Sequence, residues 1–486
     1  MIAVTRIGPV LHPDQTRVLL RPFNPGDSER IATIIDRVLA LSDQEADALL
    51  EHVSASFSER HQNIRSMFLE RFVAVSGAMK EHTSLLESRR LLIGAYFLCE
   101  YSLESSALFN PSMVPHTDQT NLPDGALRFI LSLRSTGEGH NSSITFREGV
   151  IHEDKRIEIL SAAGFLTEPR QIPNPNYEKP LFERSLAQHG IHSGFAKRVI
   201  DKMPPKFALA DLRHGLQVEQ DNLGSGMSNE DHNAAQTIWM LARANYEVQF
   251  RSEQKLSQRV LFPATPAQRN GIEDARFVRF QKDDESYVYY ATFTAFDGTV
   301  VMPELLETAD FLHFRFATLN GPAARNKGMA LFPRLIDGRF AMLSRQDNES
   351  MFLMYSDNIH FWDESQFLAG PAFSWEAVQI GNCGSPVETE AGWLVLTHGV
   401  GLMREYALGA MLLDRKDPGK VLGRLREPLL TPNASEREGY VPNVVYSCGP
   451  MLHGDTLYIP YGLADHNTGF ARVNLNELLQ ELKLGV

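Results

Sequence analysis

The chain has 486 residues and a net charge of −13. That length allows a large core and more than one domain, while the acidic balance excludes a nucleic-acid-binding surface, which needs a basic excess. No apolar run approaches the ~18 residues of a membrane span, and the three cysteines (Cys99, Cys383 and Cys448) lie too far apart for a CxxC or zinc-ligand pattern, so they read as buried thiols of a reducing compartment.

Met1 to Ile7 lacks the basic segment and apolar run of a secretion signal, so a cytoplasmic protein without a membrane partner is expected. Residues 1–104 read as an N-terminal helical extension. Ile31, Ile34, Ile35, Val38 and Leu39, then Ala46, Leu49, Leu50 and Val53, recur at helical spacing, and Arg60–Lys80 and Leu85–Tyr101 continue the pattern. Asp27 or Ser28 caps the first helix; Ser42 caps the second, with Glu45 completing a capping box. The extension carries no chemical motif. Packing or subunit contact is its expected role, including a homo-oligomer joined through these helices.

From residue 105 the period changes to strands, and one unit recurs: an Asp- or Gly-containing turn followed by an apolar strand. It reads Gly125–Leu133, Glu285–Thr292, Gly338–Ser344, Gly392–Thr397 and Asp455–Pro460. Phe340 follows Tyr287 by 53 residues, Trp393 follows Phe340 by 53, Leu457 comes 64 later, and Leu127 precedes Tyr287 by 160. Repeats of roughly 40–50 residues, each a few antiparallel strands, mark propeller blades. The expected fold is mainly β: a five-bladed β-propeller over 105–486, with the helical extension before it. The long gap predicts a helical insertion after the first blade, at about 172–244. There Leu181–Lys202 and Asp231–Ala244 look helical, and Pro173, Pro175, Pro204 and Pro205 mark turns.

Gly271-Ile-Glu-Asp-Ala-Arg276 packs two carboxylates and an arginine into a turn that opens a strand. Adjacent acids repel, and a nearby arginine holds one ionised while the other keeps a proton, a division of labour suited to acid–base chemistry. Alone, such a turn is more often a solvated ion pair. The other repeats supply polar clusters at corresponding places: Asn110-Pro-Ser112, Arg134 through His140 to Ser143, Asn326-Lys327, Arg345, His398-Gly399 and Tyr461–Asp465. A Lys, an Arg and a His brought together would bind an oxyanion. There is no G-x-S-x-G elbow and no phosphate loop. His140, His398 and His466 form no H-x-x-x-H pair, so no metal is expected.

Taken together, Gly271–Arg276, Asn326-Lys327 leading to Pro333, Trp393–Gly399, Leu408–Asp414, Val441–Tyr446 and Tyr461–Asp465 resemble glycoside hydrolase family 130 over about residues 105–486. The family comprises β-mannoside phosphorylases and β-mannosidases, and its longer members are similar to 1,2-β-oligomannan phosphorylases. The resemblance implies a five-bladed propeller, with Asp274 as the catalytic acid. It implies Lys327, Arg345 and His398 as the ligands of inorganic phosphate, which serves as co-substrate with no cofactor. Asp465 matches an aspartate on sugar hydroxyls, and Asn110, Arg134, His140, Ser143, Glu273 and Arg276 are the expected further sugar contacts. The implied reaction is a single inverting displacement that yields α-mannose 1-phosphate from an oligosaccharide. Ala275 stands where the family usually has proline, and Thr397 where it often has tyrosine. A hydrolase on the same scaffold, with Glu273, Glu349 or Glu388 as base, and a non-catalytic carbohydrate-binding propeller are the alternatives.

Overall fold

Asp27 accepts a hydrogen bond from the Arg30 backbone N–H, and Ser42 and Glu45 form a complete capping box. Both caps start helices where the sequence predicts. The computed structural model describes residues 2–78, 85–172, 177–298 and 301–484. The helices of the extension are α1 (Ser28–Leu39), α2 (Asp43–Phe57), α3 (Ile64–Val75) and α4 (Glu87–Tyr96). Arg89 of α4 donates to the carbonyls of Val38 and Leu39 in the last turn of α1, where helical partners run out, and to that of Leu41 just beyond it. The helical reading through Tyr101 stops at Tyr96, because the alternating Leu98–Ser102 pairs instead as a strand with Val18–Pro22. Cys99 on that strand is exposed, against expectation; Cys383 and Cys448 are buried. Lys80, Pro173 and Pro175 lie outside the described residues.

Residues 14–105, with 162–167, form one unit. Thr5–Leu11 belongs to the other, as the edge strand of a sheet, paired with Asn467–Asn474. The stretch read as a single extension over 1–104 is thus divided. Within the first unit α3 and α4 touch at Gly94, where an added Cβ would lie 1.8 Å from the Phe68 carbonyl oxygen. Gly94→Ala must push the helices apart, so a loss of about 3 kcal/mol is expected. Urea denaturation followed on this unit would show it as a lower midpoint.

The larger unit is mainly β. Among the described residues, five antiparallel sheets of four or more strands follow one another along the chain, and a two-stranded pair, Tyr177–Glu178 with Lys206–Phe207, lies in the insertion. Sheet one holds Ala107–Pro115, Leu127–Thr136 and Ser142–Ile151; sheet two Ile272–Gln281, Tyr287–Phe296, Val301–Thr308 and His313–Thr318. Sheet three holds Lys327–Leu331, Phe340–Arg345, Met351–Ser356 and Ser365–Ala369; sheet four Gln379–Asn382, Gly392–Val400, Tyr406–Leu413 and Val421–Arg424. Sheet five holds Val445–Tyr446, Thr456–Leu463, Asn467–Asn474 and Thr5–Leu11. Every strand read from the repeat is the second strand of its own sheet.

Strand alternation sends neighbouring side chains to opposite faces, and here both faces are buried. Phe277 packs toward sheet one, whereas Val278 and Phe280 pack toward sheet three. Trp393 and Val395 face sheet three, Leu394 and Leu396 face sheet five. Met451, Tyr458 and Phe470 of the fifth sheet share a core with Phe129 and Leu131 of the first. Each successive pair of sheets therefore has its own core, and so does the last with the first. Double burial explains why these strands read as continuous apolar runs such as Trp393-Leu-Val-Leu396.

The insertion leaves and re-enters through Arg170–Ile172 and Tyr246–Gln249, which extend the outer edge of sheet two. Between them lie α5 (Lys179–Gln188), α6 (Gly194–Asp201), α7 (Leu209–Leu223) and α8 (Asn229–Ala244), around a core of Phe195, Val199, Leu212, Leu216, Ile238 and Leu241. α7 is absent from the sequence reading. Its Gly215 weakens the helical signal, yet that glycine is what lets α7 approach Met203 and Val199. The final helix, α9 (Leu475–Leu484), buries Leu478 and Leu482 between sheets four and five. No described helix is long and apolar enough to cross a membrane.

Candidate active site

The first strands of sheets one, two and three each carry one extra residue against their neighbours, between Phe109 and Ser112, Glu273 and Arg276, and Lys327 and Ala330. The residue entering each bulge has positive φ: Asn110 (50°), Asp274 (56°) and Gly328 (88°). Asn and Asp tolerate the left-handed region better than other side chains. A bulge re-aims the side chain it carries, and the outcome is contact: Asn110 Nδ2 donates to Asp274 Oδ1. At Gly328 a Cβ would meet Arg345 Cβ at 3.2 Å, so the small residue keeps room for that arginine.

Around Asp274 the charges interlock. Arg134 donates to Glu273 at 2.7 Å and lies 3.4 Å from Asp274; Lys327 donates to the other oxygen of Glu273 at 2.8 Å. The buried Arg276 lies 3.8 Å from the Asp274 carboxylate and donates to the Tyr446 hydroxyl at 2.7 Å. The Tyr446 ring meets His398 edge-on, with centroids 4.9 Å apart. Arg345 Nη1 lies 3.1 Å from His398 Nε2, and Arg345 pairs across the ladder with Lys327. Residues from all five sheets thus form a closed circuit.

Burial pushes the Asp274 carboxyl up, but Arg134, Arg276, Lys327 and the Asn110 hydrogen bond outweigh it and hold it below the usual carboxylate range. Asp465 behaves oppositely. Burial, then the negative charge of Asp274, raises it to about 6 against the pull of Arg134 and Arg404. His398 is held well below its ordinary value by burial and by the charges of Arg345 and Arg276. The histidine read as a cation is therefore a neutral imidazole.

Two expected contacts stand apart. Ser143 is fully buried, and Ser142, one position earlier on the strand, takes the Arg134 Nε hydrogen bond at 2.9 Å. The period of two puts Ser143 on the opposite face. His140 is exposed and meets Tyr440, 3.4 Å from its hydroxyl, rather than the charged cluster. Tyr446, which joins the Asp274 and His398 halves, received no role from the sequence, although it closes the quoted Val441–Tyr446 motif. Glu388 is fixed by Arg334 and Arg415, Glu349 is exposed, and Glu273 is shared by two cations. Among the described residues no group of three or more His, Cys, Asp or Glu side chains is placed to hold a metal ion.

The profile of glycoside hydrolase family 130, described as beta-1,4-mannooligosaccharide phosphorylase, matches residues 232–484. This covers sheets two to five except the outlying strands Arg170–Ile172 and Thr5–Leu11, but not Asn110 and Arg134 of sheet one, which the insertion separates from the rest. Over 232 residues the chain is 33% identical to a 1,2-beta-oligomannan phosphorylase of Thermoanaerobacter sp. (strain X514), covering 46% of this chain and 75% of that one. It is 32% identical over 231 residues to a beta-1,2-mannobiose phosphorylase of Listeria innocua, covering 46% of this chain and 63% of the relative. The solved beta-1,2-mannobiose phosphorylase from Listeria innocua, in complex with beta-1,2-mannobiose, aligns over 78% of this chain and 92% of its own at 23% identity, with a TM-score of 0.47.

Proposed function

The chain belongs to glycoside hydrolase family 130, and from that premise we propose that it is an inverting β-mannoside phosphorylase acting on β-1,2-linked oligomannan. Its products are α-mannose 1-phosphate and a shortened chain. The observation that carries the reading is the circuit joining Asp274, Lys327, Arg345, His398, Tyr446 and Arg276. The five successive shared cores, with the last sheet packed on the first, support a five-bladed propeller whose first strands line the site.

In this scheme phosphate docks against Lys327 and Arg345, with His398 as a neutral hydrogen-bonding partner. It attacks the anomeric carbon from the face opposite the leaving oxygen, and Asp274 supplies the proton to that oxygen. Asp274 is ionised in the free site. Phosphate brings negative charge beside the cations that depress it, and bound sugar excludes water, so both ligands raise its proton affinity when the proton is needed. Asp465, Arg134 and Glu273 hold sugar hydroxyls. The nucleophile arrives charged, so no second carboxylate is needed to activate water. The carboxylates considered for a hydrolytic base, Glu273, Glu349 and Glu388, are ion-paired or exposed.

No cofactor enters this scheme, and three cysteines that form no disulfide among the described residues suit a cytoplasmic setting. Exposed Leu69 and Val73, one turn apart on α3, support self-association through the extension. Incubation with β-1,2-mannooligosaccharide should release mannose 1-phosphate only when phosphate is present. Free mannose appearing equally fast without phosphate would make the chain a hydrolase.

A further inference from the structure

The helical insertion holds a cavity of ≈ 330 Å³ between α7 and α8, lined by Arg213, Gln217, Gln220, His232, Gln236 and Trp239, with Leu216 and Ala235 as its apolar lining. None of these residues belongs to the Asp274 circuit. The volume lies at the small end of ligand pockets, ~300–1,000 Å³, and suits one or two pyranose rings. Trp239 is only partly buried, and the Arg213 guanidinium lies 5.3 Å from its ring centroid. Among the described residues the side chains of Gln220 and Gln236 have no hydrogen-bond partner and Arg213 has no ion pair, whereas Gln217 donates to Asp221 at 2.9 Å. Arg213, Gln217, Gln220 and Gln236 take no part in the insertion's core, whereas Leu216 and Ala235 belong to it and Trp239 packs against it.

An indole beside open amides is the chemistry that recognises a neutral polyol. Amides both donate and accept, as hydroxyls do, and the indole face offers rigid apolar area to the C–H face of a sugar ring. The one permanent cation is already placed over the indole, and Asp221 lies beside Gln217, which disfavours an anionic ligand. We propose that the α7–α8 groove is a second oligosaccharide-binding site, which holds a distal part of the mannan chain while its end is processed. The choice of mannan rests on the phosphorylase reading; the groove's chemistry does not.

The test uses the full chain carrying Asp274→Asn, so that nothing is consumed, titrated calorimetrically with β-1,2-mannooligosaccharide. A second binding event is expected, and Arg213→Ala with Gln236→Ala, both exposed positions, should weaken it about tenfold, as loss of one or two hydrogen bonds would. Trp239→Ala should do the same where circular dichroism shows an intact fold. With Asp274 restored, the Arg213/Gln236 pair should raise KM for long oligomannan and leave kcat and the KM for mannobiose unchanged. Unchanged stoichiometry and affinity in these variants would overturn the proposal. So would a change in oligomeric state by light scattering with sugar binding intact, since the groove would then seat a second copy. If the native chain makes no mannose 1-phosphate but the variants still lose a saccharide site, the catalytic reading fails and this one stands.

Discussion

Asp274→Asn is expected to lower phosphorolysis by about 10²–10⁴-fold, the range that a positioned general acid supplies, while circular dichroism stays unchanged. The asparagine keeps the size of the side chain and a carbonyl oxygen to accept from Asn110, but it has no proton to give a leaving oxygen. The left-handed backbone at this bulge suits asparagine as well as aspartate, so failure to fold is not the expected outcome. Steady-state kinetics with mannobiose and phosphate checks this: kcat should fall, and KM for phosphate should fall or hold, because one negative charge beside Lys327 and Arg276 is gone. Undiminished kcat would assign the proton to another group.

The largest stability effect is expected at Glu304, in the middle of sheet two. This fully buried carboxyl accepts from Gln268 Nε2 at 2.7 Å, and its other oxygen has no hydrogen-bond partner among the described residues. Gln268 in turn accepts from the Tyr246 hydroxyl and the Ala264 backbone. Burial pushes Glu304 up to about 8, only partly opposed by the Gln268 hydrogen bond. The unfolded chain releases this proton near pH 4.5 and the folded chain near 8. Across that window the folded state binds more protons, so stability falls as pH rises. Glu304→Gln removes the titration while keeping an acceptor for Gln268. Urea denaturation at pH 5 and pH 8 should show a variant whose advantage over the native chain grows with pH, to on the order of 3 kcal/mol. An advantage independent of pH would show that Glu304 is not the titrating group.

The parts of this molecule legible in the sequence are those fixed by local rules. Helix caps at Asp27 and Ser42 depend on two or three neighbouring residues. The five repeated strands show because each must fill two cores at once. Asp274 stood out because Gly271–Arg276 sets two adjacent carboxylates and an arginine in one turn and resembles the family's motif; the bulge that aims it shows only in the fold. The misses concern direction and distance. Ser142 and Ser143 are indistinguishable until strand register decides which faces Arg134. The charge of His398 depends on Arg276 and Arg345, contributed by two other sheets. Thr5–Leu11 gives no local sign that its partner lies over 450 residues away, at Asn467–Asn474. Tyr446 has a plain strand environment in sequence, and only the fold puts it between Arg276 and His398.

The most direct test of the account is a crystal structure of the Asp274→Asn chain with phosphate and β-1,2-mannobiose. Phosphate is expected in contact with Lys327, Arg345 and His398, across the anomeric carbon from residue 274, whose side chain reaches the glycosidic oxygen or a sugar hydroxyl bridging to it. Phosphate bound elsewhere, or a mannosyl unit out of reach of residue 274, would contradict it.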